Sequence, residues 1–160
     1  MRILKFPDPE LLRPCVPVNV FGPELLSLLD NMWDTMYAAY GMGLAANQVG
    51  LPWRMFVMEG PKDERIYLVN PVIINQSKAT VNLKEGCLSA PGEFIAIPTR
   101  ASWVHVSYQN EKGEAKSAVF SGIWAVCVQH EIGHLDGESF LTNRSIPKKV
   151  RQELKNKWRL

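Results

Sequence analysis

Ile123-Trp124-Ala125-Val126-Cys127-Val128-Gln129-His130-Glu131-Ile132-Gly133-His134-Leu135 is the stretch that decides the architecture. Its opening, Ile123 to Val128, is apolar on all sides, the pattern of a helix that is buried rather than laid on a surface. Gly137 stands where such a helix would be closed. Two imidazoles and a carboxylate are costly to bury in this helix unless something pairs with them. Residues four apart lie on one helical face, so His130 and His134 can reach a single metal ion. Glu131 sits about 100° further round the axis. It therefore flanks the ion without ligating it, where its carboxylate can take a proton from water.

Outward from this helix, the pattern changes period. Before it, Met55 to Met58, Ile66 to Asn70, Val72 to Asn75 and Trp103 to Tyr108 read as strands. Val104, Val106 and Tyr108 alternate with His105 and Ser107, so His105 is expected to point away from the core. Lys116, Ala118 and Phe120 continue the alternation after the turn Asn110 to Gly113, which predicts a hairpin. Earlier still, Gly22-Pro23-Glu24 is a helix start. Leu25, Leu28, Leu29, Met32, Trp33, Met36 and Tyr37 then form one apolar stripe, with Gly41 placed as the left-handed cap. After the buried helix, Val150, Leu154 and Trp158 recur four apart from Pro147 onward. Helix, strands, buried helix and terminal helix together predict a mixed α+β fold in one domain over residues 1–160.

Composition narrows the classes. Of 160 residues, 46% are hydrophobic and 21% charged, which fits a packed core and not a disordered chain. No apolar run reaches the roughly 18–20 residues of a membrane-spanning helix. The start, Met1 to Asp8, offers neither a signal-peptide core nor a transit segment, so the expected location is the cytoplasm. Net charge is +2, from 18 basic and 16 acidic residues, too balanced for a nucleic-acid footprint. The basic stretch Lys148 to Arg159 is interleaved with Glu153 and apolar residues and reads as a solvated helix face. Three cysteines without a secretory signal are not a disulfide framework.

A mononuclear catalytic centre takes three protein ligands and keeps one position open. After His134 only Asp136, Glu138 and Glu153 are acidic and no histidine follows, so the thiols have to be ranked. Cys127 lies three residues before His130 and reads as a wall residue under the metal. Cys15 stands between prolines with nothing catalytic nearby. Cys87, in Glu85-Gly86-Cys87-Leu88-Ser89, follows a glycine that lets the backbone turn close to a ligand, and it ranks first. A further segment, Gly41-Met42-Gly43-Leu44-Ala45-Ala46-Asn47-Gln48, has the spacing of a dinucleotide-binding loop. That reading needs a strand before it and a helix after it, whereas a helix precedes it and Gly50-Leu51-Pro52 breaks the chain behind. Its glycines instead suggest a substrate backbone passing close by, with Gln48 offering an amide donor.

These three segments together resemble the peptide deformylase family. The motif G-x-G-L-A-A-x-Q is met at Gly41 to Gln48 and E-G-C-L-S at Glu85 to Ser89. The third, Q-H-E-x-D-H-L-x-G, is met at Gln129 to Gly137 except at Gly133, where the family carries Asp. The motifs stand in family order, and the resemblance covers nearly the whole chain. It implies small antiparallel sheets packed around the buried helix that carries His-Glu-x-x-His, with an N-terminal and a C-terminal helix. It also implies a hydrolase that removes the N-formyl group from the N-terminal formylmethionine of newly made polypeptides, releasing formate. By position, Cys87, His130 and His134 would bind one divalent metal ion. Glu131 would move the proton, while the Gln48 side chain and the Leu88 backbone N–H would stabilise charge on the formyl oxygen.

Ile123, Val126, Cys127 and His130 share a helix face along which an apolar slot for methionine can run. The resemblance adds Met42, Gly43, Leu83, Glu85 and Gly86 to this substrate region, with Glu85 paired to Arg100. A Cys-His-His set suits zinc by ligand type, and iron is compatible with it. The resemblance favours ferrous iron in the cell, with zinc, nickel or cobalt able to take the site. The implied partners are N-formylmethionyl nascent polypeptides near the ribosome, met by a monomer that binds neither nucleic acid nor membrane. A general metallopeptidase using the same helix, and a non-catalytic module binding a metal or a peptide end, are the alternatives.

Overall fold

In Met55-Phe56-Val57-Met58 successive side chains leave opposite faces of one strand, yet all four are buried. The computed structural model, which describes residues 1–160, shows why: this strand lies in a sheet covered on both faces. The sheet is antiparallel, in the order β1 (Gly43–Ala45), β2 (Met55–Glu59), β3 (Arg65–Gln76), β6 (Trp103–Gln109) and β7 (Ala115–Ser121). A separate two-stranded sheet pairs β4 (Lys84–Glu85) with β5 (Ile95–Ala96).

Helix α2 (Ile123–Leu135) lies on one face of the large sheet, where Ala125, Cys127, Val128 and Ile132 meet Phe56, Met58, Leu68, Val104 and Val106. Helix α1 (Pro23–Ala38) covers the other face, burying Leu25, Leu29, Met32, Trp33 and Met36 against Met55, Val57, Tyr67 and Val69. A third cluster joins Phe6, Leu11, Ala90, Ile97, Phe140, Leu141 and Ile146 to Leu154 of α3 (Lys148–Trp158). The fold is the α+β arrangement expected, with small antiparallel sheets around a buried helix. None of its helices is long and apolar enough to cross a membrane.

Several local expectations shift. The two strands expected at 66–70 and 72–75 are one strand, β3, interrupted by a register shift between Val69 and Val72. Asn70 sits at φ 51° there, and its side chain bonds the Val18 N–H, the Val18 carbonyl and Gln109 Oε1. These bonds stand in for the ladder pairing that Pro71, with no N–H, is unable to make. Helix α1 ends one residue earlier than expected, because Tyr40 and not Gly41 is left-handed, at φ 58°. Ile123 is half exposed and the helix is buried only from Ala125 onward. Of the terminal stripe, Leu154 is buried, Trp158 partly buried and Val150 exposed.

Candidate active site

Helix α2 closes where Gly137 adopts φ 76°. The Glu138 N–H then bonds the Gly133 carbonyl at 2.9 Å and the Gly137 N–H bonds that of His134 at 2.9 Å. One turn earlier, Gln129 ties the helix to the strand approach by donating to the Ala101 carbonyl and accepting the Ala101 N–H. His130 and His134, held between these ties, turn their Nε2 atoms toward each other at 3.2 Å, and Cys87 Sγ lies 3.2 Å from His134 Nε2. The ligand atoms of Cys87, His130 and His134 all lie within 4.8 Å of one another. A tetrahedral ion with bonds of about 2.1 Å to nitrogen would hold two such nitrogens roughly 3.4 Å apart, so this donor set fits one small cation.

The surroundings of the three donors differ in kind. His130 Nδ1 contacts Glu85 Oε1 at 2.8 Å. Arg100 holds the same carboxylate from behind, with Nε 3.0 Å from Oε2 and Nη2 2.6 Å from Oε1. Burial alone would raise the Glu85 pKa, but Arg100 and His130 bring it below the ordinary carboxylate value. Burial works against a charged His130, yet contacts with Cys87 and Glu85 hold its pKa up at about 10, and a cation at Nε2 would take the place of that proton. His134 is the opposite case. Burial, then the charges of His130 and Arg100, keep it neutral, as a nitrogen ligand must be. Its Nδ1 is buried without a hydrogen-bond partner.

Glu131 is buried beside this cluster, and burial pushes its pKa up to about 7. Its Oε2 has no partner. Glycine at position 43 leaves the carboxylate room: a Cβ there would stand 2.8 Å from Glu131 Oε1 and 2.8 Å from Cys127 Sγ, so one of the side chains would have to shift. Gln48 is fixed at both ends of its amide. Oε1 accepts the Ala45 N–H at 2.9 Å, while Nε2 donates to Ser89 Oγ at 3.0 Å and lies 3.6 Å from Cys87 Sγ. The Leu88 N–H makes no hydrogen bond within the chain, although the Leu88 carbonyl accepts one from Lys5 Nζ at 2.7 Å.

Cys87, His130 and Glu131 line a cavity of about 640 Å³, within the usual range for a ligand site. Every residue expected in the substrate region borders it: Met42, Gly43, Leu83, Glu85, Gly86, Ile123, Val126 and Cys127. Leu88 borders it as well, whereas Gln48 and His134 stand behind its wall. His105 and Cys15 stay out of the donor cluster. Sequence reasoning missed three contributors. Ser89 positions the Gln48 amide, Asn47 donates to the His134 carbonyl at 2.6 Å, and Phe140 sets its ring against His130 at 4.9 Å. Ser89 and Asn47 both lie inside quoted motifs, so position was the available signal, but their partners are distant in the chain.

Three soft-to-borderline donors, a buried carboxylate with one free oxygen and an apolar cavity are the parts of a candidate mononuclear metallohydrolase centre. Comparison with known proteins gives this class a narrower identity. Residues 1–150 match the family model for polypeptide deformylase. A peptide deformylase of Phenylobacterium zucineum is 42% identical over 147 residues, covering 89% of this chain and 86% of that protein. One from Chromobacterium violaceum is 40% identical over 161 residues, covering 99% and 95%. Among solved structures, the peptide deformylase of Thermus thermophilus superposes with a TM-score of 0.89 at 37% identity, covering 98% of this chain and 92% of that one. That of Ehrlichia chaffeensis gives 0.90 at 34% identity, covering 99% and 94%. The chain belongs to the polypeptide deformylase family and is, with it, a hydrolase of N-formyl polypeptides.

Proposed function

We propose that this chain hydrolyses the formyl amide of N-terminal formylmethionine, releasing formate and a free α-amine, with Cys87, His130 and His134 as ligands of one divalent cation. The convergence of those three donors beside the unpartnered Oε2 of Glu131, at the wall of an apolar cavity, carries the reading. A cation there supplies Lewis acidity toward water and the formyl oxygen. Glu131 Oε2 accepts the proton of the attacking water and returns it to the amine nitrogen as the C–N bond breaks. The Leu88 N–H, free of any internal acceptor, donates to the oxygen on which negative charge develops. Gln48 stands on the other side: Nε2 donates to Ser89 Oγ and to Cys87 Sγ, and the hydrogen on the Cys87 side is the one that would turn to the developing negative charge.

The methionine side chain enters the slot formed by Leu83, Ile123, Val126 and Cys127, where an unbranched apolar chain packs well. Strands β1 and β4 are each paired on one edge only, and residues of both border the cavity. An extended peptide N-terminus thus has backbone partners at hand beside Met42, Gly43, Glu85 and Gly86. Residues 1–160 act as one catalytic domain: one core cluster contains α2 residues, another packs against Cys87, and the third lies on the opposite face of the sheet that α2 covers. Thiolate with imidazole accommodates Fe²⁺, Zn²⁺, Ni²⁺ or Co²⁺, and ferrous iron is the ion we assign in the cell. The substrates are nascent chains met near the ribosome in the cytoplasm, by a monomer. Formate release from a formyl-Met peptide, assayed beside cleavage of the same unformylated peptide, tests the reaction. Formate without peptide cleavage is expected, and cleavage of the unformylated peptide would favour the metallopeptidase alternative.

A further inference from the structure

Tyr40 occupies a position where its side chain costs the fold and returns nothing to it. It follows the last turn of α1, where the Tyr40 N–H bonds the Tyr37 carbonyl at 3.1 Å and the Gly41 N–H bonds that of Met36 at 3.0 Å. This helix ending requires one left-handed residue, normally Gly or Asn, and Tyr40 supplies it at φ 58°. The side chain is 99% exposed, and its hydroxyl and ring have no hydrogen-bond or aromatic partner. Yet it borders the active-site cavity, two residues ahead of Met42.

A second aromatic borders the same cavity from the side of the small sheet. Phe94 is 66% exposed and lies over the Gly86 backbone, so closely that a Cβ at position 86 would come within 2.9 Å of its ring. Both rings sit next to strand edges that are unpaired, Tyr40 beside β1 and Phe94 beside β4. Exposed rings gain by being covered, and strain kept at a cavity mouth points to use of the strained residue. The occupant must leave the methionine slot as extended chain, rising about 3.3 Å per residue, so its next one or two residues pass between these edges.

We propose that Tyr40 and Phe94 form an aromatic rim that receives an apolar or aromatic side chain one or two residues after the formylmethionine, making the chain selective among formylated N-termini. The proposal rests on the deformylase reading and adds the class of substrate that the site prefers.

The test measures formate release by the metal-loaded protein from formyl-Met-X-Ala-Ser and formyl-Met-Ala-X-Ser, with X as Phe, Leu, Ser or Asp. At one of the two positions Phe and Leu exceed Ser by about three- to tenfold in kcat/KM, through KM, as an added aromatic contact does. Tyr40→Gly and Phe94→Ala each bring the Phe peptide toward the Ser peptide. Tyr40→Gly also raises Tm by about 2–4 °C, because glycine takes the left-handed conformation without strain. A packing role for Tyr40 would instead lower Tm. Equal kcat/KM across X at both positions, or a preference that survives in both variants, overturns the rim alone. No formate from any formyl peptide overturns the deformylase reading and the rim with it.

Discussion

The two histidines of α2 are one turn apart and share a helix face, but the protein supports them by different means. His130 hands its Nδ1 to Glu85, which Arg100 grips with two bonds, so a chain of charge-assisted contacts orients the ring. His134 has no such partner. Its Nδ1 is unpaired, Phe6 stacks on its ring at 6.3 Å, and Asn47 holds its main-chain carbonyl. Beside it Gly133 offers no side chain, and the nearest atom to a Cβ built there is Glu138 Oε2 at 4.0 Å. One ring is oriented by electrostatics and the other by packing and backbone. The electrostatically held ring is the one that lines the cavity.

The largest effects belong to groups that both halves serve. Cys87→Ser should empty most of the metal site while Cys15→Ser leaves it filled, read as metal content of the purified variants. Metal loss in Cys127→Ser instead would move the third ligand. Glu131→Gln should keep the metal and lose about 10²–10⁴-fold in turnover, since an amide cannot accept the water's proton. Metal content and rate belong on the same preparation, and a parallel fall in both would make Glu131 a ligand.

The contrast between the halves is tested next. Glu85→Gln should weaken metal binding about 10- to 100-fold, the usual cost of losing a carboxylate behind a ligand histidine. Phe6→Leu, on the His134 side, should cost far less in a competition titration against a chelator. Equal losses would mean that the two rings are held alike. Asn47→Ala removes one of two donors to the His134 carbonyl, the Gly137 N–H remaining, and should cost about 0.5–1.5 kcal/mol of stability, measured by denaturant unfolding.

Smallest is Gly133. Its φ is not left-handed and its surroundings are open, so Gly133→Ala should gain about 0.5–1 kcal/mol. Gly133→Asp then isolates the carboxylate: metal retention beyond that of the alanine variant belongs to the acidic group. If both match the parent in stability and metal retention, the glycine is neutral. A large loss in the alanine variant would show that the helix needs the space.

What can be read from sequence follows the range of each signal. Helix α2 is legible to its limits, because an apolar run, a motif at helical spacing and Gly137 all lie within fifteen residues of one another. The donor cluster follows, since two of its members share that helix and the third sits in a short motif of its own. Strands β4 and β5 are not legible, because two residues hold no period. The continuity of β3 is hidden for a related reason: Asn70 and Pro71 look like a break, and only distant Val18 and Gln109 carry the strand past it. Arg100 is legible as the partner of Glu85, but the onward contact to His130 spans 45 residues and leaves no local trace. Tyr40 is hidden because the neighbouring glycine is the better left-handed residue, and nothing local says that the chain declines to use it.

The placement of α2 has a kinetic consequence. Its apolar residues are anchored in the large sheet, and its histidines are packed against Phe6 and Phe140 of the third cluster. Freeing the helix therefore means dissolving most of the core, and its amides should be among the slowest in the protein to exchange with solvent. Cys87 is different: it stands in a turn with exposed Gly86 on one side and exposed Pro91 and Gly92 a few residues on. Two of the three donors thus share the protection of the core helix, while the third stands outside any helix or strand.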